Sequence, residues 1–245
     1  MAVRTPRDCT LPPRRRFELR RLESFNPVQS DALVPHALLH LLLSFTALLV
    51  TALPVRAAES PVLLVVGDSI SAGYGLAAGE GWVNLLSAKL KGDGYDYRVV
   101  NASISGDTTA GGRARLPALL KLHQPAVAII ELGGNDALRG GDLSTAGANL
   151  DAMVASAQAG GAKVLLVGMQ LPPNYGAAYV RSFGALFSDV AKARKAAVVP
   201  FVFNGFGEDL SLFQADRVHP TAAAQSRILA NVWPALAPLL NKSNR

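Results

Sequence analysis

Val62-Leu63-Leu64-Val65-Val66-Gly67-Asp68-Ser69-Ile70-Ser71-Ala72-Gly73 reads as a strand, a tight turn and the start of a helix. Five aliphatic residues in succession leave no polar face, which is the pattern of a strand covered on both sides. Gly67-Asp68 is a turn pair, and the residues after Ser69 are mostly small. A serine at a strand-to-helix turn sits where backbone N–H groups are free to face an anion. It is a weak nucleophile until a base takes its proton.

Similar apolar, β-branched runs recur at Tyr97–Val100, Ala126–Leu132, Lys163–Val167 and Val198–Phe203. Between them Trp82–Leu90, Leu143–Ala159, Ala177–Ala196 and Thr221–Leu240 carry apolar residues at helical spacing. This alternation predicts an α/β fold, a three-layer α/β/α sandwich around a five-stranded, mainly parallel sheet, because right-handed crossovers put helices on both faces. Ligands bind beyond the carboxyl ends of such strands. The segments to inspect are Gly67-Asp68-Ser69, Ser103–Thr109, Gly133–Asp136 and the loop after the fourth strand. Residues 58–245 show no internal repeat, low-complexity tract or linker and read as one domain.

Within residues 58–245 the only histidines are His123 and His219. His219 follows Asp216 by three residues, a separation that lets one turn bring the carboxylate to Nδ1 and aim Nε2 at Ser69, so Ser69, Asp216 and His219 are the candidate triad. His123 precedes Gln124-Pro125 at the end of a helical stretch, where histidine suits the last carbonyls and the helix dipole. Candidate donors to an oxyanion are the N–H groups of Ser69 and Gly106 and the side-chain amide of Asn135. Each motif alone reads equally as a turn or cap. Their joint placement after successive strands gives them weight. Asp68 reads as a fixer of its turn and Asp136 as a support for Asn135; Glu131 ends an apolar strand without an assigned role.

Charge and cysteine usage exclude other classes. Eight of the 24 Lys/Arg and four of the 18 Asp/Glu lie in residues 1–57, so 16 and 14 remain for residues 58–245. That near-neutral body, with no basic run interleaved with aromatics, predicts no nucleic-acid partner. The single cysteine, Cys9, lies in the leader, leaving the body without a disulfide, a thiol nucleophile or a thiolate metal site. Residues 1–57 join a basic stretch, Arg14 to Arg21, to an apolar run from Ala37 to Leu53 that ends near small residues. They read as a leader with a secretory signal cleaved after Ala57, which predicts a periplasmic or secreted protein; an uncleaved anchor is the alternative.

Gly67-Asp68-Ser69, the Gly106 loop, Gly133-Gly134-Asn135-Asp136 and Asp216-Arg217-Val218-His219 match, in order, the four blocks of the SGNH hydrolase superfamily, the GDSL-type lipases and esterases, which the chain resembles. Gly67–Gly75, Ser103–Thr109 and Leu171-Pro172-Pro173-Asn174-Tyr175-Gly176 look like its TesA-type bacterial periplasmic branch of acyl-CoA thioesterases, arylesterases and lysophospholipases. The resemblance implies Ser69 as nucleophile, Gly106 and Asn135 completing the oxyanion hole, and Asp216 and His219 finishing the triad. It implies no metal, no organic cofactor and no stable partner. The substrate it implies is a small acyl ester or thioester, membrane lipids included. Leu171 and Pro172 would help shape the acyl site, and Ala137–Asp142 would move on substrate binding. The Gly-x-Ser-x-Gly elbow of α/β-hydrolases is not met, since residue 71 is serine, so a flavodoxin-like SGNH fold is expected. The rival readings are a carbohydrate O-deacetylase of the same fold, a non-catalytic periplasmic acyl- or lipid-binding protein, and an acyltransferase.

Overall fold

The computed structural model describes residues 60–242; the expected leader lies outside the described residues. Strands β1 (Val62–Gly67), β2 (Arg98–Asn101), β3 (Val127–Glu131), β4 (Lys163–Val167) and β5 (Ala197–Val199) form one sheet in the order β2-β1-β3-β4-β5. Every neighbouring pair is parallel. This is the flavodoxin-like order, and the expected three-layer sandwich is observed.

Parallel neighbours need crossovers, and helices supply them. In chain order these are α1 (Ser69–Ala72), α2 (Trp82–Gly92), α3 (Thr109–His123), α4 (Gly134–Leu138), α5 (Leu143–Ala159), α6 (Ala177–Arg194) and α7 (Gln225–Leu236). Side chains on a strand point alternately to opposite faces, so the apolar runs divide between two cores. Leu63, Val65, Val127, Ile129 and Leu165 pack with Trp82, Leu86 and Leu90 of α2 and with Ile228, Val232 and Leu236 of α7. Leu64, Val66, Ala128, Ile130 and Leu166 face the other way, onto Leu116 of α3, Leu150 and Met153 of α5, and Phe183 and Phe187 of α6. Local chemistry sets the helix starts: the Thr108 side chain accepts from the Gly111 N–H to begin α3, and Asp142 accepts from the Ser144 and Thr145 N–H groups to begin α5.

Three elements differ from the sequence expectation. The fifth strand, expected to reach Phe203, ends at Val199. Pro200 has no N–H to offer a ladder, the chain turns, and the Val202 N–H donates to the Gly168 carbonyl at 2.9 Å. The apolarity of this stretch serves an aromatic cluster instead, in which Phe203 meets Phe206 at 5.5 Å and Phe213 at 5.3 Å between ring centroids. The helix expected over Thr221–Leu240 is α7 flanked by 3-10 turns at Ala222–Ala224 and Ala237–Leu239. Helix α4 stands where only a turn was expected, at Gly133–Asp136.

Phe187 links this core to the loop that carries Asn135. It is fully buried, meets Phe183 edge-on at 5.4 Å, and lies so close to Gly133 that a Cβ there would be 3.3 Å from its ring. Phe187→Ala is expected to lower unfolding stability in urea by about 3–5 kcal/mol, with a smaller loss for Phe187→Leu.

Candidate active site

Ser69 begins α1 directly after the β1 turn, and Asp68 caps that helix by accepting the Ile70 N–H at 3.0 Å. Glycine is required at residue 67 by close approach: a Cβ there would lie 2.8 Å from Glu131 Oε2 and 2.8 Å from Ser71 Cβ. Glu131, at the end of β3, is buried, and its Oε2 accepts the Ser71 O–H at 2.8 Å. The role left open for Glu131 is therefore to pack the serine turn from the neighbouring strand.

His219 arrives on a pinched loop. Phe213 and Pro220 form an isolated antiparallel bridge, and the Gln214 N–H donates to the His219 carbonyl at 2.7 Å. Within the turn Asp216 Oδ1 accepts the N–H groups of Val218 and His219 at 2.9 and 3.0 Å. Its other oxygen is left for the imidazole: Oδ2 lies 2.7 Å from Nδ1, and Nε2 lies 2.8 Å from Ser69 Oγ. A carboxylate on Nδ1 makes that nitrogen the protonated one and leaves Nε2 as the acceptor for the serine proton. The N–H bonds of its own turn, that of His219 first, hold the Asp216 carboxyl down to about 2, so it is ionised under any working condition. The Tyr74 ring covers the imidazole at 4.5 Å between centroids. Gln214 Nε2 ties that region to the histidine loop by donating to the Tyr74 carbonyl at 2.8 Å.

The expected oxyanion donors lie on the segments that follow β1, β2 and β3. Among the described residues the N–H groups of Ser69 and Gly106 have no hydrogen-bond partner, and Gly106 holds φ +79°, a left-handed conformation that suits glycine. Asn135 Nδ2 donates to the Asp107 carbonyl at 2.9 Å and to Asp68 Oδ2 at 3.1 Å, which joins the loops after β1, β2 and β3.

Beside Asp136, which the sequence suggests as a support for Asn135, the supporting roles of Arg115, Thr109 and Asn149 were not foreseen. Arg115 donates from Nε to Asp107 Oδ2 at 2.7 Å, from Nη1 to the Ala102 carbonyl, and from Nη2 to the Gly67 carbonyl at 3.4 Å. Asp136 supports Asn135 indirectly, by accepting from the N–H and hydroxyl of Thr109 at 2.9 and 2.6 Å and so pinning the start of α3 to α4. Asn149 donates to the Thr109 hydroxyl at 3.1 Å and accepts from Arg113 at 3.0 Å. The one sequence signal for this set is polar residues at positions of α3 and α5 that face the sheet's carboxyl edge.

Leu171 is buried in the core on the α3, α5 and α6 side of the sheet, and Pro172 is exposed. His123 stands at the far end of α3, 15 residues long, from Thr109 and the site. Burial raises the carboxyl of Asp68 to about 6, against the pull of the Ile70 N–H, His219 and Asn135. Burial, with the Asp68 charge added, pushes Glu131 well above the usual glutamate value.

A flavodoxin-like parallel sheet that carries a hydrogen-bonded serine, histidine and aspartate beyond its strand ends defines a class, the serine hydrolases of the SGNH type. Comparison with known proteins agrees. The chain belongs to the GDSL-like lipase/acylhydrolase family, whose profile matches residues 65–227. It is 57% identical over 183 residues to Esterase TesA of Pseudomonas aeruginosa, covering 75% of this chain and 91% of that protein. Thioesterase 1/protease 1/lysophospholipase L1 of Escherichia coli strain K12 is 41% identical over 186 residues, covering 76% of this chain and 88% of that protein. The crystal structure of TesA superposes with a TM-score of 0.72 at 57% identity, covering 73% of this chain and 99% of that one.

The Asp68 carboxyl also sets a pH dependence of stability. An unfolded aspartate releases its proton near 3.8 and folded Asp68 near 6, so between these values the folded state binds more protons. The stabilisation is complete below the lower value and is lost as pH rises through the upper one. Urea denaturation of wild type and Asp68→Asn across this window should show the wild type losing stability relative to the variant as pH rises.

Proposed function

We propose that the chain hydrolyses carboxylic esters and acyl thioesters through an acyl-enzyme on Ser69. The observation that carries this is the relay itself, with His219 Nε2 at 2.8 Å from Ser69 Oγ and Nδ1 at 2.7 Å from Asp216. Ser69 Oγ attacks the acyl carbon while His219 takes its proton. The resulting oxyanion is met by the N–H groups of Ser69 and Gly106 and by the Asn135 amide. Asp216, ionised, steadies the imidazolium, which then protonates the departing alkoxide or thiolate. Water activated by His219 attacks the acyl-enzyme and frees Ser69.

The relatives are named for esterase, thioesterase, protease and lysophospholipase activity, and we extend the ester- and thioester-cleaving part of that range to this chain. An acyl chain fits the site better than a carbohydrate. Tyr74, Ile104, Leu138 and Val218 are among the exposed large apolar side chains, and each lies within a few residues of a triad or candidate donor residue in the sequence. These side chains offer apolar area to an acyl chain beside the polar Ser105, Arg139 and Arg217, which are also exposed. The same reading assigns exposed Pro172 to the acyl site and Leu171 to support beneath it. A protein kept only for binding acyl groups has no use for an aligned relay.

We assign residues 58–245 to a single hydrolase domain and residues 1–57 to a leader that directs export to the periplasm. Among the described residues no helix is long and apolar enough to cross a membrane. Mass spectrometry of the exported protein is expected to show a chain beginning at Ala58; an intact mass that includes residues 37–53 overturns this assignment.

The purified protein is expected to turn over p-nitrophenyl esters from acetate to palmitate and acyl-CoA thioesters, with Ser69→Ala lowering kcat by about four to six orders of magnitude at unchanged circular dichroism. A folded wild type inactive on all of these, yet releasing acetate from acetylated sugars, moves the assignment to the carbohydrate deacetylase.

A further inference from the structure

We infer that Asp68 is a positioning residue for catalysis, whose carboxylate fixes which way the Asn135 amide faces and so supplies the oxyanion hole with a donor in place of an acceptor. The inference rests on the hydrolase reading above and adds a residue to it.

A side-chain amide is nearly symmetric in shape and opposite in chemistry on its two sides, with two N–H donors on one and an acceptor oxygen on the other. The last torsion of asparagine is broad and roughly two-fold, so packing alone does not choose between them. At Asn135 the choice is made by two acceptors. The Asp107 carbonyl takes one N–H at 2.9 Å, and Asp68 Oδ2 takes the other at 3.1 Å. A flipped amide would set its oxygen against both, and a buried pair of facing acceptors is strongly unfavourable.

Both acceptors are themselves held. The residue whose carbonyl accepts, Asp107, is anchored through its carboxylate, which takes Arg115 Nε at 2.7 Å on one oxygen and the Thr108 N–H at 2.9 Å on the other. Asp68 is 2% exposed, and its Oδ1 is committed to the Ile70 N–H at 3.0 Å, which leaves Oδ2 for Asn135 alone. Serine, threonine or asparagine would cap α1 equally well without burying a charge. What a carboxylate adds is a second oxygen that can only accept, reaching from the nucleophile's own turn to the donor's. The groups facing Asp68 are Glu131 from β3, Asp107 and Asn135 from the loops after β2 and β3, and His219, whose charge favours an ionised Asp68. When the oxyanion forms, it shares the N–H that Asp68 holds at rest, and the long 3.1 Å contact is the weaker of the two that Asn135 makes.

The test is a double-mutant cycle on p-nitrophenyl butyrate with the full-length protein. Asp68→Ser keeps the cap through its hydroxyl and removes the oxygen that reaches Asn135. It is expected to lower kcat about ten- to a hundred-fold, approaching the hundred-fold or larger loss typical of a missing oxyanion donor, with KM within about threefold. Introduced into Asn135→Ala, the same change should lower kcat by less than about twofold, because the group it acts through is gone. Asp68→Asn, nearly isosteric and uncharged, repeats the cycle should the serine variant fold poorly. Wild-type kcat in Asp68→Ser, or an equal loss with and without Asn135, overturns the inference and leaves Asp68 as a structural cap. Ser69→Ala measured alongside separates the two levels: turnover retained there overturns the hydrolase reading and this inference with it, whereas Ser69-dependent turnover with an uncoupled Asp68 overturns the inference alone.

Discussion

The carboxyl end of β1 is the point on which the site is built. Between β2 and β3, it pairs Val65 with Asn101 on one side and Gly67 with Glu131 on the other. The Gly67 carbonyl accepts the Ile104 N–H at 3.0 Å, which brings in the loop bearing Gly106, and Asn101 Nδ2 reaches the Ser71 carbonyl at 2.8 Å. The missing side chain at Gly67 leaves the space that the Glu131 carboxyl fills. The serine turn is thus gripped by both neighbouring strands. A parallel sheet makes this possible because all its strands end at the same edge, so loops distant in sequence share hydrogen-bond partners without long excursions.

The three carboxyl groups nearest the chemistry are used in physically different ways. The Asp216 side chain is 41% exposed, yet its proton is held far more loosely than usual because its own turn aims two N–H groups at it. Hydrogen bonding therefore outweighs the little desolvation it suffers, and the ionised form is present whenever His219 needs a counter-charge. Asp68 and Glu131 are each 2% exposed and are shifted the opposite way by burial. Their value lies in where their oxygens point: Glu131 accepts from Ser71, two residues after Ser69, and Asp68 joins the helix that Ser69 begins to the Asn135 amide.

What could be read from the sequence was what local chemistry determines. Apolar runs marked the strands of the sheet, and the turn residues pointed to Ser69, Asp216 and His219, which the fold brings into hydrogen-bond contact, and to Gly106 and Asn135 as candidate donors. The end of β5 was misread because phenylalanines at 201, 203 and 206 look alike whether they pack a strand or a cluster of turns. Helix α4 was hidden by its start: Gly133, at φ +117°, offers no capping side chain to announce it. The polar supports were hidden for another reason. Ser71 with Glu131, Thr109 with Asp136, and Arg115 with the Gly67 carbonyl are separated by 60, 27 and 48 residues, and which of many polar residues meet across such distances is fixed only by the assembled sheet.

Hydrogen bonding is distributed unevenly around Asn135. The Asn135 amide is held by Asp68 and by the Asp107 carbonyl, and the next residue, Asp136, binds Thr109 twice. Moving Asn135 breaks bonds among buried or half-buried partners, each costing about 1–3 kcal/mol when left unpaired. Immediately beyond, Leu138, Arg139 and Gly140 are exposed. Side chains from the neighbouring region hold this segment through the Tyr175 hydroxyl on the Leu138 carbonyl at 3.2 Å and the Tyr179 hydroxyl on the Gly141 carbonyl at 2.7 Å. The Gly140 and Gly141 N–H groups also donate to the Ala137 and Asp136 carbonyls, each at 2.9 Å, and Arg139 donates to the Gly106 carbonyl at 3.2 Å. Asn135 and the exposed segment after it lie only a few residues apart in sequence, yet the first is held by buried and half-buried partners and the second by bonds made mainly at exposed residues.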